Sequence, residues 1–317
     1  MTPKNSLRAA LPSALLLLCA GACAAPFAYV PNEKSGTVSV IDTQTDAVVR
    51  QLPAGKRPRG IAGAVDGRHL FVTDAAANVL LRLDSAGGAA LAPLALGKSP
   101  EGVSVSPDGK YIAVAVEESN SVTLIDAVSG ARVADIAVQG RNPEHAVFSP
   151  DSRWLYVSAE EAEQVDVINV AQRRQSGSLA VGLRPRGIGF APDGSRVYIA
   201  CELVNTVYVL DTASGHTLAK IPAGKNANGI AVHPGGKQVY VSNGADASVM
   251  VIDTASYAVT ATIAVGKRPW NMAITPDGAK LYVANGRSNS VSVIDTASAS
   301  KVGEIAVGEL PWGVAIR

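Results

Sequence analysis

"PDGAKLYVANGRSNSVSVID", residues 276–295, reads as a turn, a short strand, a polar loop and a second strand. Nearly the same phrase stands at 192–211 as "PDGSRVYIACELVNTVYVLD" and at 107–126 as "PDGKYIAVAVEESNSVTLID". Asp42, Asp84, Asp126, Asn169, Asp211, Asp253 and Asp295 each close an apolar run of this kind, at successive spacings of 42, 42, 43, 42, 42 and 42 residues. Tyr29, Phe71, Ala113, Tyr156, Tyr198, Tyr240 and Tyr282 keep the same period. So do Pro-x-Gly-like triplets beginning at Pro58, Pro100, Pro143, Pro185, Ala227, Pro269 and Pro311. Self-similarity at a fixed period of this length marks a repeat architecture, in which each unit buries its faces against its neighbours.

Every unit holds four short apolar segments, of the kinds "NMAIT", "KLYVAN", "SVSVID" and "VTATIAV", separated by Asp-Gly and Asp-Thr turn signals. Period-two alternation and β-branched residues make these strands joined by hairpins. No segment has the length and period of a soluble helix. Four strands per unit, seven times over, predict an all-β fold: a seven-bladed β-propeller with four antiparallel strands per blade. The chain ends predict how the ring closes. The first unit begins at "FAYV", which matches "KLYV", and so lacks its opening strand. The last segment, "PWGVAIR" at 311–317, supplies only such a strand, and is expected to complete the blade formed by 27–53.

The first residues follow a different logic. Lys4 and Arg8 precede an apolar stretch from Ala9 to Gly21, and Ala22-Cys23-Ala24 supplies small residues before Ala25-Pro26. This order reads as a cleaved secretory signal over 1–24, leaving 25–317 as one propeller domain. Acylation of Cys23 is the alternative, with Ala20 standing where a lipoprotein signal usually has Leu. No later stretch is apolar enough to span a membrane. Losing the leader removes two basic residues and no acid, turning a formal charge of +1 into −1. That balance argues against nucleic acid as a partner. Of three cysteines only Cys201 lies beyond the leader, which excludes an intramolecular disulfide, and no CxxCH haem motif is present.

Tyr240-Val241-Ser242-Asn243 and Tyr282-Val283-Ala284-Asn285, followed by "SVMVID" and "SVSVID", resemble YVTN-type β-propeller repeats over essentially the whole predicted domain. The opening "FAYVPNEKSGTVSVIDTQTDAVVRQLPAGKRPRGIA" is similar to a periplasmic subfamily associated with pyrroloquinoline-quinone-dependent catabolism. That resemblance implies a periplasmic location and the company of quinoprotein alcohol dehydrogenases, one of which would be a partner. It implies no reaction. Propellers that hold the quinone themselves have eight blades with repeated tryptophan docking motifs, whereas this chain has seven units and three tryptophans. No cofactor is therefore expected. No convergent zinc ligands are visible either, and the Glu101–Glu144 pair offers at most a weak site for a hard cation such as calcium, so no metal is expected.

Residues repeated in every unit serve the fold: the Asp of Pro-Asp-Gly nucleates a turn, and the Asp of Ile-Asp-Thr accepts from amides of the turn that follows. Recognition is expected where the copies disagree. The central residue of Pro-x-Gly is, in order, Arg59, Glu101, Glu144, Arg186, Asn228, Trp270 and Trp312. Around a ring this sets two acids side by side between two arginines, with two tryptophans opposite, at one mouth of the channel. His145 stands where other units carry Gly, beside Glu144. His69, His216 and His233 fall at the other face, roughly 15 Å away at about 3.3 Å per residue. Basic residues of the same loops (Lys56, Arg57, Lys98, Arg184, Lys225, Lys267, Arg268) face acids of the neighbouring loop set (Glu117, Glu118, Glu160, Glu161, Glu163, Glu202), and mutual salt bridges would explain both groups without a ligand. Cys201 reads as a buried, inert thiol.

Two functions compete on this reading. One is a non-catalytic periplasmic propeller whose mouth binds a partner protein or a small polar ligand. The other is a lactonase-like hydrolase using His145 with Glu101 and Glu144. Hydrolysis needs a nucleophile or a metal beside the imidazole, and none is visible, so binding is the expectation.

Overall fold

A computed structural model describes residues 26–317, and the predicted leader at 1–24 lies outside them. Seven four-stranded antiparallel sheets follow one another along the chain, each with its strands in simple up-and-down order. Blade 2 spans 58–95, blade 3 spans 100–137, blade 4 spans 141–180, blade 5 spans 185–222, blade 6 spans 227–264 and blade 7 spans 269–306.

Blade 1 is shared between the ends of the chain. Its three outer strands are Phe27–Asn32, Thr37–Asp42 and Ala47–Pro53, and its innermost strand is Ala315–Ile316. Ala28 pairs with Ile316 and Tyr29 with Ala315. Phe27 and Arg317 exchange backbone hydrogen bonds, and the Trp312 amide donates to the Pro31 carbonyl at 3.0 Å. The closure expected from the sequence is the closure observed.

Why the middle strands are so apolar is now plain. Strands such as Ser248–Asp253 and Ser290–Asp295 are buried over nearly their whole length, because neighbouring blades cover both faces. Outermost strands such as Val259–Ala264 alternate, with one face in solvent. Seven buried clusters fill the ring, one at each interface; the one holding Ala28, Val30, Tyr282 and Ala284 joins blade 7 to blade 1.

The turn acids behave as the repeat requires. Asp42 Oδ1 accepts from the Gln44 amide at 2.7 Å, and Asp253 and Asp295 accept from Ser256 and Ser298 amides at 2.8 Å. Among the described residues, only two short 3₁₀ turns break the all-β pattern, Glu117–Ser119 and Glu202–Val204. No helix of the described residues is long and apolar enough to cross a membrane.

Candidate functional site: the channel mouth

The innermost strands carry a built-in irregularity at Pro-x-Gly. Pro58 lies opposite Asp74 but Ile61 opposite Val72, so one extra residue is absorbed between them. The same slip recurs at Pro100, Pro185, Ala227 and Pro269. A bulge of this kind re-aims a side chain. The residue it lifts is the variable one, while the Gly after it lets adjacent strands touch backbone to backbone. A Cβ on Gly60 would stand 2.4 Å from the Glu101 carbonyl oxygen, and one on Gly229 would stand 2.5 Å from that of Trp270. Hydroxyls two residues beyond the repeat Tyr position brace the bulge. Thr73 Oγ1 accepts from the Gly60 amide at 2.8 Å and donates to the Glu101 carbonyl at 2.7 Å. Ser242 does the same for the Gly229 amide and the Trp270 carbonyl.

All seven variable residues converge. Arg59, Glu101, Glu144, Arg186, Asn228, Trp270 and Trp312 line one cavity of about 140 Å³ at the mouth, joined by Glu33, Glu117, Glu160, Arg268 and Asn271. Among the residues not anticipated, Glu33 had a legible signal. It occupies the position four after the repeat Tyr, as do Glu117, Glu160 and Glu202, while blades 6 and 7 have Gly244 and Gly286 there.

The charged half of the cavity is a chain of ion pairs. Glu33 Oε1 accepts from Arg57 Nε at 2.7 Å and Arg59 Nε at 3.1 Å, and Arg59 Nη1 contacts Glu101. Arg186 is the hub of the other segment. It contacts Glu144, lies 2.6 Å from Glu160 and donates through Nε to Glu202 at 2.7 Å. Arg184 joins Glu160 at 2.7 Å, and Arg268 joins Glu202 at 3.1 Å. Of the salt bridges anticipated from the sequence, those of Arg184 and Arg268 with Glu160 and Glu202 and of Lys98 with Glu118 are present. Lys56, Lys225, Lys267, Glu117 and Glu163 form none among the described residues.

Their electrostatics are uneven. Burial opposes the charge on Glu202, but Arg186, Asn226 and Arg268 outweigh it and hold this carboxyl below the usual range. Glu101 fares differently. Burial is the largest influence, Arg59 opposes it, Glu117 adds to it, and the carboxyl is pushed up to about 7. Burial also works against the Arg59 cation, but Glu101 and Glu33 together more than offset it and raise its pKa. Glu117 has Ser99 Oγ as its hydrogen-bond partner at 2.7 Å and no cation within ion-pair distance among the described residues.

His145 lies apart from this group. In blade 4 the inner strand is extended to Arg141–Phe148, and His145, which stands at the position of Gly60 after the same slip at Pro143, pairs with Ser158. The imidazole enters a second cavity of about 140 Å³ deeper in the channel, lined by Gly60, Gly102, Gly187 and Trp312. It lies against the Trp312 indole with ring centroids 5.4 Å apart. Its Nε2 is 3.9 Å from Glu144 Oε1 and has no hydrogen-bond partner among the described residues. Burial lowers its pKa to about 4, so the ring is neutral at neutral pH. The buried Ser158 Oγ also lacks a partner. Cys201 is fully buried with its thiol pushed up to about 12, chiefly by desolvation. No group of three or more His, Cys, Asp or Glu poised for a metal occurs among the described residues.

Fold and site together define a closed seven-bladed β-propeller with an ion-paired, tryptophan-flanked mouth. The family described as "Lactonase, 7-bladed beta-propeller" matches residues 170–306. No curated protein matches the chain. Among solved structures, Kuenenia stuttgartiensis hydrazine synthase is similar over 85% of this chain and 92% of that one, at 23% identity and a TM-score of 0.78. A functionally unknown protein from Desulfotomaculum acetoxidans is similar over 92% of this chain and 98% of its own, at 19% identity and a TM-score of 0.81. At these identities the likeness concerns the fold.

Proposed function

We propose that this chain is a non-catalytic binding propeller, in which the mouth receives one small polar group carried by a partner protein or by a small ligand. The observation that supports this most is the size and state of the cavity. About 140 Å³ is well below the roughly 300–1,000 Å³ of ordinary small-molecule sites. Its charges are already committed to one another. Tryptophan beside arginine at the rim of a concave surface is also the composition of protein-binding hot spots. The sequence resemblance supports a periplasmic setting and a quinoprotein alcohol dehydrogenase as partner. The test is the affinity of the chain starting at residue 25 for such a dehydrogenase from its own host. Trp312→Ala should weaken it by about 2 kcal/mol or more, some thirtyfold, while Lys237→Ala on the far face leaves it unchanged. Equal affinities for both variants would refute the reading.

A second reading is favoured by the family match over residues 170–306 and by a buried carboxyl titrating at about 7. Glu101 would act as general base for water attack on a small ester or lactone. Turnover of such a substrate, lost in Glu101→Gln with the fold intact, would replace the binding proposal.

A further inference from the structure

The two faces of the disc are not equally filled. On the face away from the mouth, neighbouring blades leave a slot between the residue two before the repeat Tyr and the turn of the next blade. In two interfaces a long side chain at that position closes it. Lys280 reaches Asp46 at 2.7 Å between blades 7 and 1, where the Tyr282 hydroxyl also contacts Asp46. Arg196 lies over the Tyr257 ring at 5.7 Å and donates to the Thr254 carbonyl between blades 5 and 6. Between blades 1 and 2, where Phe27 holds that position, Arg50 of the outer strand instead reaches the Ser85 carbonyl at 3.1 Å.

Between blades 4 and 5 the slot stands open. Trp154 occupies the position of Lys280 and Arg196, and Gly215 the position of Asp46 and Tyr257. Gly177 adds to the space: a Cβ there would meet nothing within 4 Å. The result is a cavity of about 870 Å³ with Trp154, Tyr156 and Phe190 in its walls. Tyr156 and Phe190 meet edge to face at 4.8 Å, forming a fixed aromatic corner. The cavity's carboxylates are Asp151 and Asp193, with no Lys, Arg or His in its lining. Each of these acids uses Oδ1 for its own turn, accepting from Ser149 and Arg153 and from Ser195 respectively, which leaves Oδ2 open.

The geometry points to a second binding site here, for an organic ammonium ion with an aromatic or branched apolar body. The volume falls within the range of small-molecule pockets. Aromatic faces attract a cation, and Trp does so best. The lining itself carries two ionised carboxylates and no cation, with Arg153 near Asp151 and Arg196 near Asp193 outside it. The open Oδ2 atoms therefore favour a positive ligand over a neutral or anionic one of the same shape. The site shares no residue with the mouth, so it stands or falls independently of the function proposed above.

Calorimetric titration at pH 7 with 2-phenylethylamine, 2-phenylethanol and phenylacetate tests it. The amine should bind about tenfold more tightly than the alcohol, and phenylacetate more weakly than either. Trp154→Arg, which gives blade 4 the cation that blade 5 carries, should lose at least about tenfold for the amine. Asp151→Asn with Asp193→Asn should bring the amine down to the level of the alcohol. A cooperative melt of each variant confirms folding. Amine and alcohol of equal affinity, undiminished binding in Trp154→Arg, or binding lost instead in Trp312→Ala would overturn the assignment.

Discussion

The indole of Trp270 lies against the backbone of Gly286: a Cβ at 286 would stand 2.7 Å from Cζ3 of the ring. The corresponding position is Glu in blades 1, 3, 4 and 5, so the acid is absent at the place where the aromatic wall needs room. Gly286→Ala should push the indole off its seat. Overpacking of this kind costs about 1–3 kcal/mol. The variant should show a lower urea midpoint and altered tryptophan emission, with the β-sheet signal retained.

Arg186 ties three carboxylates from blades 4 and 5 while itself buried. Removing one partner from a buried network strands the others. Arg186→Met is therefore expected to cost about 3–5 kcal/mol. Lys34→Met should change stability by about 1 kcal/mol at most, because its pairing with Glu309 is exposed. Denaturant melts of the two variants make the comparison.

Ring closure rests on few hydrogen bonds. With Phe27 and Arg317 a hydrogen-bonded pair, Tyr29 and Ala315 form the next such pair along the antiparallel ladder. Ala315→Pro removes that donor, leaving its acceptor unpaired, and should cost about 1–3 kcal/mol. Size-exclusion chromatography should show association through the edge of Phe27–Asn32 that the lost strand exposes.

Glu101 and His145 should shape the pH dependence of stability in opposite senses. The Glu101 carboxyl moves from 4.5 to about 7 on folding. Over that window the unfolded chain releases a proton the folded chain keeps, so stability falls as pH rises. His145 moves from 6.5 to about 4, so the unfolded chain takes up a proton the folded chain refuses, and stability falls as pH falls. Glu101→Gln should remove the loss toward neutral pH, and His145→Gln the loss toward acid. Urea midpoints from pH 4 to 8 that ran parallel in all three proteins would contradict both assignments.

Much of this molecule was legible in its spacing. A period of 42 fixes the blades, and the variable position of Pro-x-Gly fixes the mouth, because the bulge there aims the same position inward each time. Less was legible where an outcome depends on two distant positions at once. Trp154 and Gly215 lie in different blades, and only their meeting shows that the slot between them is open. His145 illustrates the same limit. Its departure from Gly was visible, but the deeper chamber and the Trp312 contact depend on which inner-strand side chains meet across the channel, which spacing alone does not display. Glu33 was legible by a different signal: although Pro31 and Asn32 precede it where the other acid-bearing units have different residues, it stands four after the repeat Tyr as they do.

The mouth is where the partner or ligand of the proposed function binds, separately from the ammonium site between blades 4 and 5 on the opposite face. The most direct measurement places a photo-activatable benzoylphenylalanine at Lys267 on the mouth rim, or at Lys237 on the far face, and irradiates the chain in its host. Both side chains are exposed, so neither replacement disturbs the core. The account predicts one defined adduct from position 267, absent from 237 and lost when Trp312→Ala is added. An adduct of equal yield from both positions, or from 237 alone, would contradict it.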